Sequence, residues 1–204
     1  VAHLVQRIKT LKAFFISAAL LFFLLPAPQA QAADAATARD EVALLSGYGI
    51  THRYFGATRT QVQTWDLIAR YGYFLSREVG VDSWYQGRHE LLMEVPYHLA
   101  IDQGGRSMTG GYLLGSWKFT SIKDLAPYIF AGGGILFVDL GLQSMGSRLN
   151  YSYQGGTGLQ YFIRPNLALM AEYRYHHISN AGTASPNEPL NSSKFLTGIT
   201  FYRQ

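Results

Sequence analysis

From residue 41 onward, eight segments of roughly ten residues each have period-two character, clearest in the third, seventh and eighth and poor in the first and fifth. The segments are approximately 41 to 50, 62 to 74, 86 to 98, 108 to 119, 126 to 137, 150 to 163, 166 to 179 and 192 to 203. No apolar stretch in this region is long enough for a membrane helix; the best, 126 to 138, is interrupted by Pro127 and by Gly132, Gly133 and Gly134. A hydrophobic chain of this kind has two homes, the core of a soluble sheet protein or a closed barrel in a membrane.

The N-terminal residues favour the second. Residues 1 to 32 read as a signal peptide: Arg7, Lys9 and Lys12 precede an unbroken apolar run from Ala13 to Leu25, and Ala30-Gln31-Ala32 supplies a small-x-small cleavage pattern. The run is shorter than the ~20 residues of a spanning helix. Cleavage after Ala32 would leave 172 of the 204 residues, beginning with Ala33. It would also lower Lys+Arg from 17 to 14 against 13 Asp+Glu, so the basic character belongs to the signal and implies no nucleic-acid partner. The chain has no Cys, which removes disulfides, thiol nucleophiles and thiolate metal sites together.

Export, tyrosines near segment ends and an even number of strands of membrane-crossing length together indicate an all-β fold, an eight-stranded antiparallel transmembrane β-barrel of the bacterial outer membrane. The division expected is a signal peptide over 1–32, a mobile polar lead-in over 33–40 and the barrel over 41–204. In the seventh segment Leu167, Leu169, Ala171, Tyr173 and Tyr175 fall on one face, and Ala168, Met170, Glu172, Arg174 and His176 on the other. Asp66, Arg70, Arg88, Glu90, Glu94 and Lys194 extend the polar set, as expected of a small barrel filled by side chains and salt bridges. With the N-terminus inside, the connections near 51 to 61, 99 to 107, 138 to 149 and 180 to 191 lie outside the cell. The connection near 75 to 85 is long for a periplasmic turn.

Dinucleotide, P-loop and G-x-S-x-G fingerprints are absent. His89-Glu90 opens like a zinc motif, but Met93 stands where the second His belongs, so Glu90, Glu94 and His98 are read as paired lumen groups rather than metal ligands. His52 reads as a solvated loop residue. The end of the seventh segment differs. His177 and Ser179 are two residues apart, so a strand puts both on one face with Cα atoms ~6.5 Å apart, within reach of a hydroxyl to imidazole hydrogen bond. Their parity continues the outward row, where polar groups facing lipid are costly unless they have a partner or a task.

The stretch YHHISNAGTASPNEPLN, Tyr175 to Asn191, resembles the C-terminal signature of the outer-membrane lipid A 3-O-deacylases, the PagL-type family. The resemblance implies a serine ester hydrolase that removes the primary 3-O-linked hydroxyacyl chain of lipid A, with Ser179 as nucleophile, His177 as general base, and Gly182 and Asn187 at the oxyanion-hole positions. It implies lipopolysaccharide as substrate, outer-membrane lipids as surroundings and no cofactor; a homodimer is compatible with it. The family's catalytic glutamate falls on Asn191, which lacks the charge that stabilises imidazolium. In serine proteases an Asp to Asn change costs ~10⁴ in rate. Glu188 is the alternative acid if the loop folds back, and Asn191→Glu is expected to raise turnover. The rival reading is a non-catalytic small barrel with a structural or adhesive role; a third is a hydrolase of other phospholipid or glycolipid esters.

Overall fold

The computed structural model describes residues 34–204. The signal peptide read over 1–32 lies outside the described residues. Eight strands run in sequence: β1 (Asp40–Thr51), β2 (Gln63–Phe74), β3 (Gly87–Ala100), β4 (Arg106–Phe119), β5 (Leu125–Asp139), β6 (Leu149–Arg164), β7 (Leu167–Ser179) and β8 (Leu190–Arg203). Each pairs antiparallel with the next, and β8 closes on β1 with Asp40 opposite Arg203 and Thr51 opposite Ser192. Closure leaves no sheet edge, the condition for strands to cross hydrocarbon. Among the described residues no helix is long and apolar enough to cross a membrane.

The alternation expected from sequence is present, and burial shows which face is inside. Along β7 the even-numbered positions from Ala168 to His176 are buried, while Leu169, Ala171 and Tyr173 are exposed on the wall. The buried charges form layers. In the middle layer Arg70 Nε and Nη2 donate to Glu94 at 2.7 Å and Glu172 at 2.5 Å, Arg174 Nη1 donates to Glu94 at 2.8 Å, Arg174 also pairs with Glu172, and Tyr128 Oη donates to Glu172 at 2.7 Å. Toward the strand ends nearest the N-terminus, Lys118 joins Glu41, Glu90 and Tyr202. Toward the opposite end Lys194 Nζ donates to Asp66 at 2.6 Å, and His98 lies between Asp66 at 2.8 Å and Tyr112 Oη at 2.9 Å. Asp66, Arg70, Glu90, Glu94, Glu172, Arg174 and Lys194 are thus paired, which is how ions survive burial, while Arg88 is held by main-chain carbonyls.

Three details depart from the sequence reading. The lead-in is not loose. Asp34 Oδ1 accepts the Ala36 and Thr37 N–H groups at 3.0 Å, Ala35 and Ala38 are buried beside Phe74 and Tyr202, and Arg88 Nη1 donates to the Ala35 and Ala38 carbonyls at 3.1 and 2.7 Å. A buried guanidinium at the barrel mouth needs acceptors, and the folded-in main chain supplies them. The long β2–β3 connection continues the pairing as a small hairpin, with a Val79–Gly87 bridge and left-handed Gly80 and Asp82. Finally, β8 begins at Leu190 rather than 192, which brings Asn191 into the sheet opposite His177.

The three glycines of β5 serve the backbone. A Cβ on Gly134 would stand 2.0 Å from the Gly111 carbonyl oxygen of β4, and one on Gly132 would stand 2.4 Å from that of Leu113. Room for a bulky lumen ring comes from β6, where a Cβ on Gly158 would meet Tyr128 Cζ at 2.2 Å.

Candidate active site

The outward rows of β6, β7 and β8 converge at the end of the barrel away from the N-terminus. His177 faces Tyr153 on one neighbouring strand and Asn191 on the other; Ser179 faces Tyr151. This register sets a line of side chains across the wall: Ser179 Oγ lies 3.2 Å from His177 Nε2, and His177 Nδ1 lies 2.7 Å from Asn191 Oδ1. Tyr153 stacks on the imidazole with ring centroids 4.2 Å apart and planes at 16°, fixing the ring's tilt. His177 and Ser179 are half-buried, whereas Asn191 is covered by the loop over 52 to 62. Its Oδ1 also accepts Tyr175 Oη at 2.6 Å, and its Nδ2 donates to Thr58 Oγ1 at 2.8 Å and to the Phe55 carbonyl at 3.2 Å. With Nδ1 donating to an amide oxygen, Nε2 is the acceptor for a serine proton.

A family model described as lipid A 3-O-deacylase (PagL) matches residues 47–200, which spans all of this wall. The chain belongs to the lipid A 3-O-deacylase family. Among solved structures similar to this deacylase-family barrel, the crystal structure of Neisserial surface protein A (NspA) is 16% identical with a TM-score of 0.57, covering 79% of this chain and 96% of its own. The crystal structure of the outer membrane enzyme PagL is 19% identical with a TM-score of 0.55, covering 78% and 97%. At these identities the two structures establish the outer-membrane barrel fold, and the family model carries the assignment. Comparison with curated protein sequences finds no match.

The remaining positions of the deacylase signature are occupied as follows. Glu188 does not reach His177. Its Oε1 accepts the N–H groups of Arg59 and Thr60, each at 2.6 Å, and its Oε2 accepts Thr60 Oγ1 at 3.1 Å, so it ties the 180 to 189 loop to the 52 to 62 loop. Gly182 lies in the left-handed region at φ 77°, and its N–H donates to Asn180 Oδ1 at 2.9 Å. Asn187 Oδ1 accepts the Asn180 N–H at 2.9 Å, which orients its Nδ2 the other way. That Nδ2 has no hydrogen-bond partner among the described residues. Asn180 is itself buried, its Nδ2 donating to the Met145, Ala184 and Pro186 carbonyls, so it staples the loop that carries Gly182 and Asn187.

His176 points into the lumen, as its parity requires, 3.1 Å from Tyr112 Oη. His52 is not a bare loop residue: its Nε2 lies 2.7 Å from Ser193 Oγ, which also bonds Tyr173 Oη at 2.9 Å. Glu90, Glu94 and His98 share the lumen face but are engaged with Lys118, with Arg70 and Arg174, and with Asp66 and Tyr112. Sequence reasoning missed Tyr175, Thr58 and the Phe55 carbonyl. Tyr175 had a signal, since it shares the face of His177 two residues away. Thr58 had none, because 133 residues separate it from Asn191.

The Glu188 clasp has a pH consequence. Burial raises its carboxyl pKa, but the Ser144 side chain and the Arg59 and Thr60 amides outweigh burial and hold it below the ordinary glutamate value. A depressed folded value means the clasp contributes at neutral pH and is lost only as pH falls through that value, below where an unfolded glutamate protonates. Glu188→Gln is expected to make the 52 to 62 loop roughly tenfold more susceptible to protease at neutral pH, since a charged acceptor for two amides is lost. Wild type should match the variant only in acid. Equal cleavage at neutral pH would reject the clasp.

Proposed function

We propose that this family member removes the primary 3-O-linked hydroxyacyl chain from lipid A in the outer leaflet, acting as a serine ester hydrolase. The observation that carries the reading is the continuous line Ser179, His177, Asn191 on the outward wall, at hydrogen-bonding distances of 3.2 and 2.7 Å. The four loops at this end of the barrel would be extracellular, so the line sits at the level of the sugar and ester groups of the lipid. A site there meets its substrate without extracting it from the membrane.

In the proposed reaction Ser179 Oγ attacks the ester carbonyl carbon as its proton passes to His177 Nε2. The tetrahedral intermediate collapses when His177 returns that proton to the departing sugar hydroxyl. Water then attacks the acyl-serine ester, again giving a proton to His177, and the 3-hydroxy fatty acid leaves with Ser179 restored. Donors near the oxyanion would lower the barrier. Asn187 Nδ2 is the better provided of the two positions, while Gly182 would have to release Asn180 Oδ1 to contribute its N–H. No step requires a metal or organic group.

The test is a mass spectrum of lipid A from cells with and without the protein. Loss of one 3-hydroxyacyl chain from the 3-position is expected in producing cells. An unchanged lipid A profile, with the barrel present and folded in the outer membrane, would favour the non-catalytic surface barrel. Release of fatty acid from phospholipid instead would point to the other ester substrates.

A further inference from the structure

Asn191 stands where the family motif carries an acid, and a carboxylate there would be expected to help. The hydrogen bonds around the side chain argue the reverse. On one side of the amide, Oδ1 meets two donors, Tyr175 Oη at 2.6 Å and His177 Nδ1 at 2.7 Å. On the other, Nδ2 meets two acceptors. The Phe55 carbonyl at 3.2 Å can only accept. Thr58 Oγ1, 2.8 Å away, donates its own hydrogen to the Pro189 carbonyl at 2.9 Å and accepts the Asn191 N–H at 3.1 Å, so it too presents lone pairs. Thr58 is fully buried, and water has no access to relieve a mismatch.

Two acceptors demand two donors, which an amide has and a carboxylate lacks. An aspartate would set one oxygen in the place of Oδ1 and the other against Phe55 O and Thr58 Oγ1. A glutamate would add a methylene beneath a loop already closed over the site. Turning the Asn191 amide by half a rotation fails as well: it would bring oxygen to oxygen at Phe55 and offer a donor to His177 Nδ1, moving the ring proton to Nε2, where it blocks acceptance from Ser179.

We propose that the loop joining β1 and β2 selects an amide at position 191, with Thr58 and the Phe55 carbonyl turning Oδ1 toward His177 so that Nε2 is left unprotonated beside Ser179. Thr58, Tyr175 and Asn191 are then positioning residues of a Ser-His-Asn line, in which hydrogen-bond direction does the tautomer selection a charge would otherwise do. The inference rests on the Ser179 and His177 reading above. It also makes this loop, remote in sequence from the signature, part of what the reaction needs.

The experiment measures kcat and KM on purified full-length protein with lipid A in detergent micelles at fixed pH. Asn191→Asp is expected to lower kcat about tenfold or more, with KM within about twofold, because repulsion from the Phe55 carbonyl and Thr58 Oγ1 displaces the carboxylate from His177 Nδ1 while the substrate surface is intact. Thr58→Val should show the same split, and Thr58→Ser, which keeps the hydroxyl, should return kcat to within about threefold of wild type. Thr58→Val combined with Asn191→Ala should be no slower than Asn191→Ala alone, since Thr58 acts through Asn191. Asn191→Asp as fast as wild type or faster would overturn the proposal, as would a Thr58→Val loss that multiplies with Asn191→Ala. Heat-dependent gel migration checks that each barrel is closed; should Asn191→Asp not fold, the Thr58 series decides alone. Full activity in Ser179→Ala would fell the serine reading and this inference together, whereas failure of the inference alone leaves Ser179→Ala inactive.

Discussion

Ser179→Ala is expected to reduce release of 3-hydroxy fatty acid from lipid A by about a thousandfold or more, and His177→Ala to match it, because nucleophile and base act as one unit. Neither change should open the barrel. Both residues are half-buried on the outer wall near the end of β7, and Ser179 gives up one side-chain hydrogen bond, to His177 at 3.2 Å. Such positions contribute little packing. Combining the two substitutions should add almost nothing to either. His176→Ala is the informative neighbour, since it lies one residue away but faces the lumen at Tyr112. It should lose stability and keep the chemistry. Ser179→Ala with wild-type turnover would remove the serine hydrolase from consideration, whatever the lipid A profile of producing cells.

The largest effect on stability is expected inside the barrel, at Arg174. Its guanidinium serves Glu94, Glu172 and Gln154, and Arg70 serves the same two carboxylates. Arg174→Met leaves two buried anions to one cation and should destabilise the barrel by about 3 to 5 kcal/mol. The measurement is the urea concentration at which the fast-migrating folded band converts to the slow one. Removing Glu172 at the same time, as Arg174→Met with Glu172→Leu, should return most of the loss, because Arg70 and Glu94 then remain as a matched pair at 2.7 Å. A double variant as weak as the single one would mean that shape rather than charge balance governs the layer.

Period two was the legible part of this fold. Strands half in lipid and half in a packed lumen must alternate, and the alternation separates Glu172, Arg174 and His176 from His177 and Ser179, the barrel reading then making the first set the inner one. The pairing of His177 with Ser179 was legible for the same reason, as two residues on one strand face, whereas the proposed roles of base and nucleophile come from the family resemblance. What escaped was whatever depends on the loops folding back. The start of β8 was hidden by the polar, proline-bearing stretch from Ser185 to Asn191, and is fixed by pairing with β7 and by the His52 N–H donating to the Asn191 carbonyl at 2.7 Å. Glu188 looked available as an acid because sequence distance says nothing about the amides of Arg59 and Thr60 that hold it. The lead-in looked loose because Ala-rich polar segments usually are; its carbonyls turn out to be the acceptors of Arg88.

Because His177 and Ser179 stand on the outside of the wall, with Tyr151 and Tyr153 exposed beside them, a substrate needs no passage through the protein to reach the proposed reaction centre. A lipid ester would arrive by sliding within the leaflet, and the encounter becomes a problem in two dimensions. The rate should then follow the mole fraction of substrate among the amphiphiles around the barrel rather than its amount per volume of water. Adding inert detergent at constant lipid A should slow turnover, while diluting the same mixed micelles with buffer should leave turnover per enzyme unchanged.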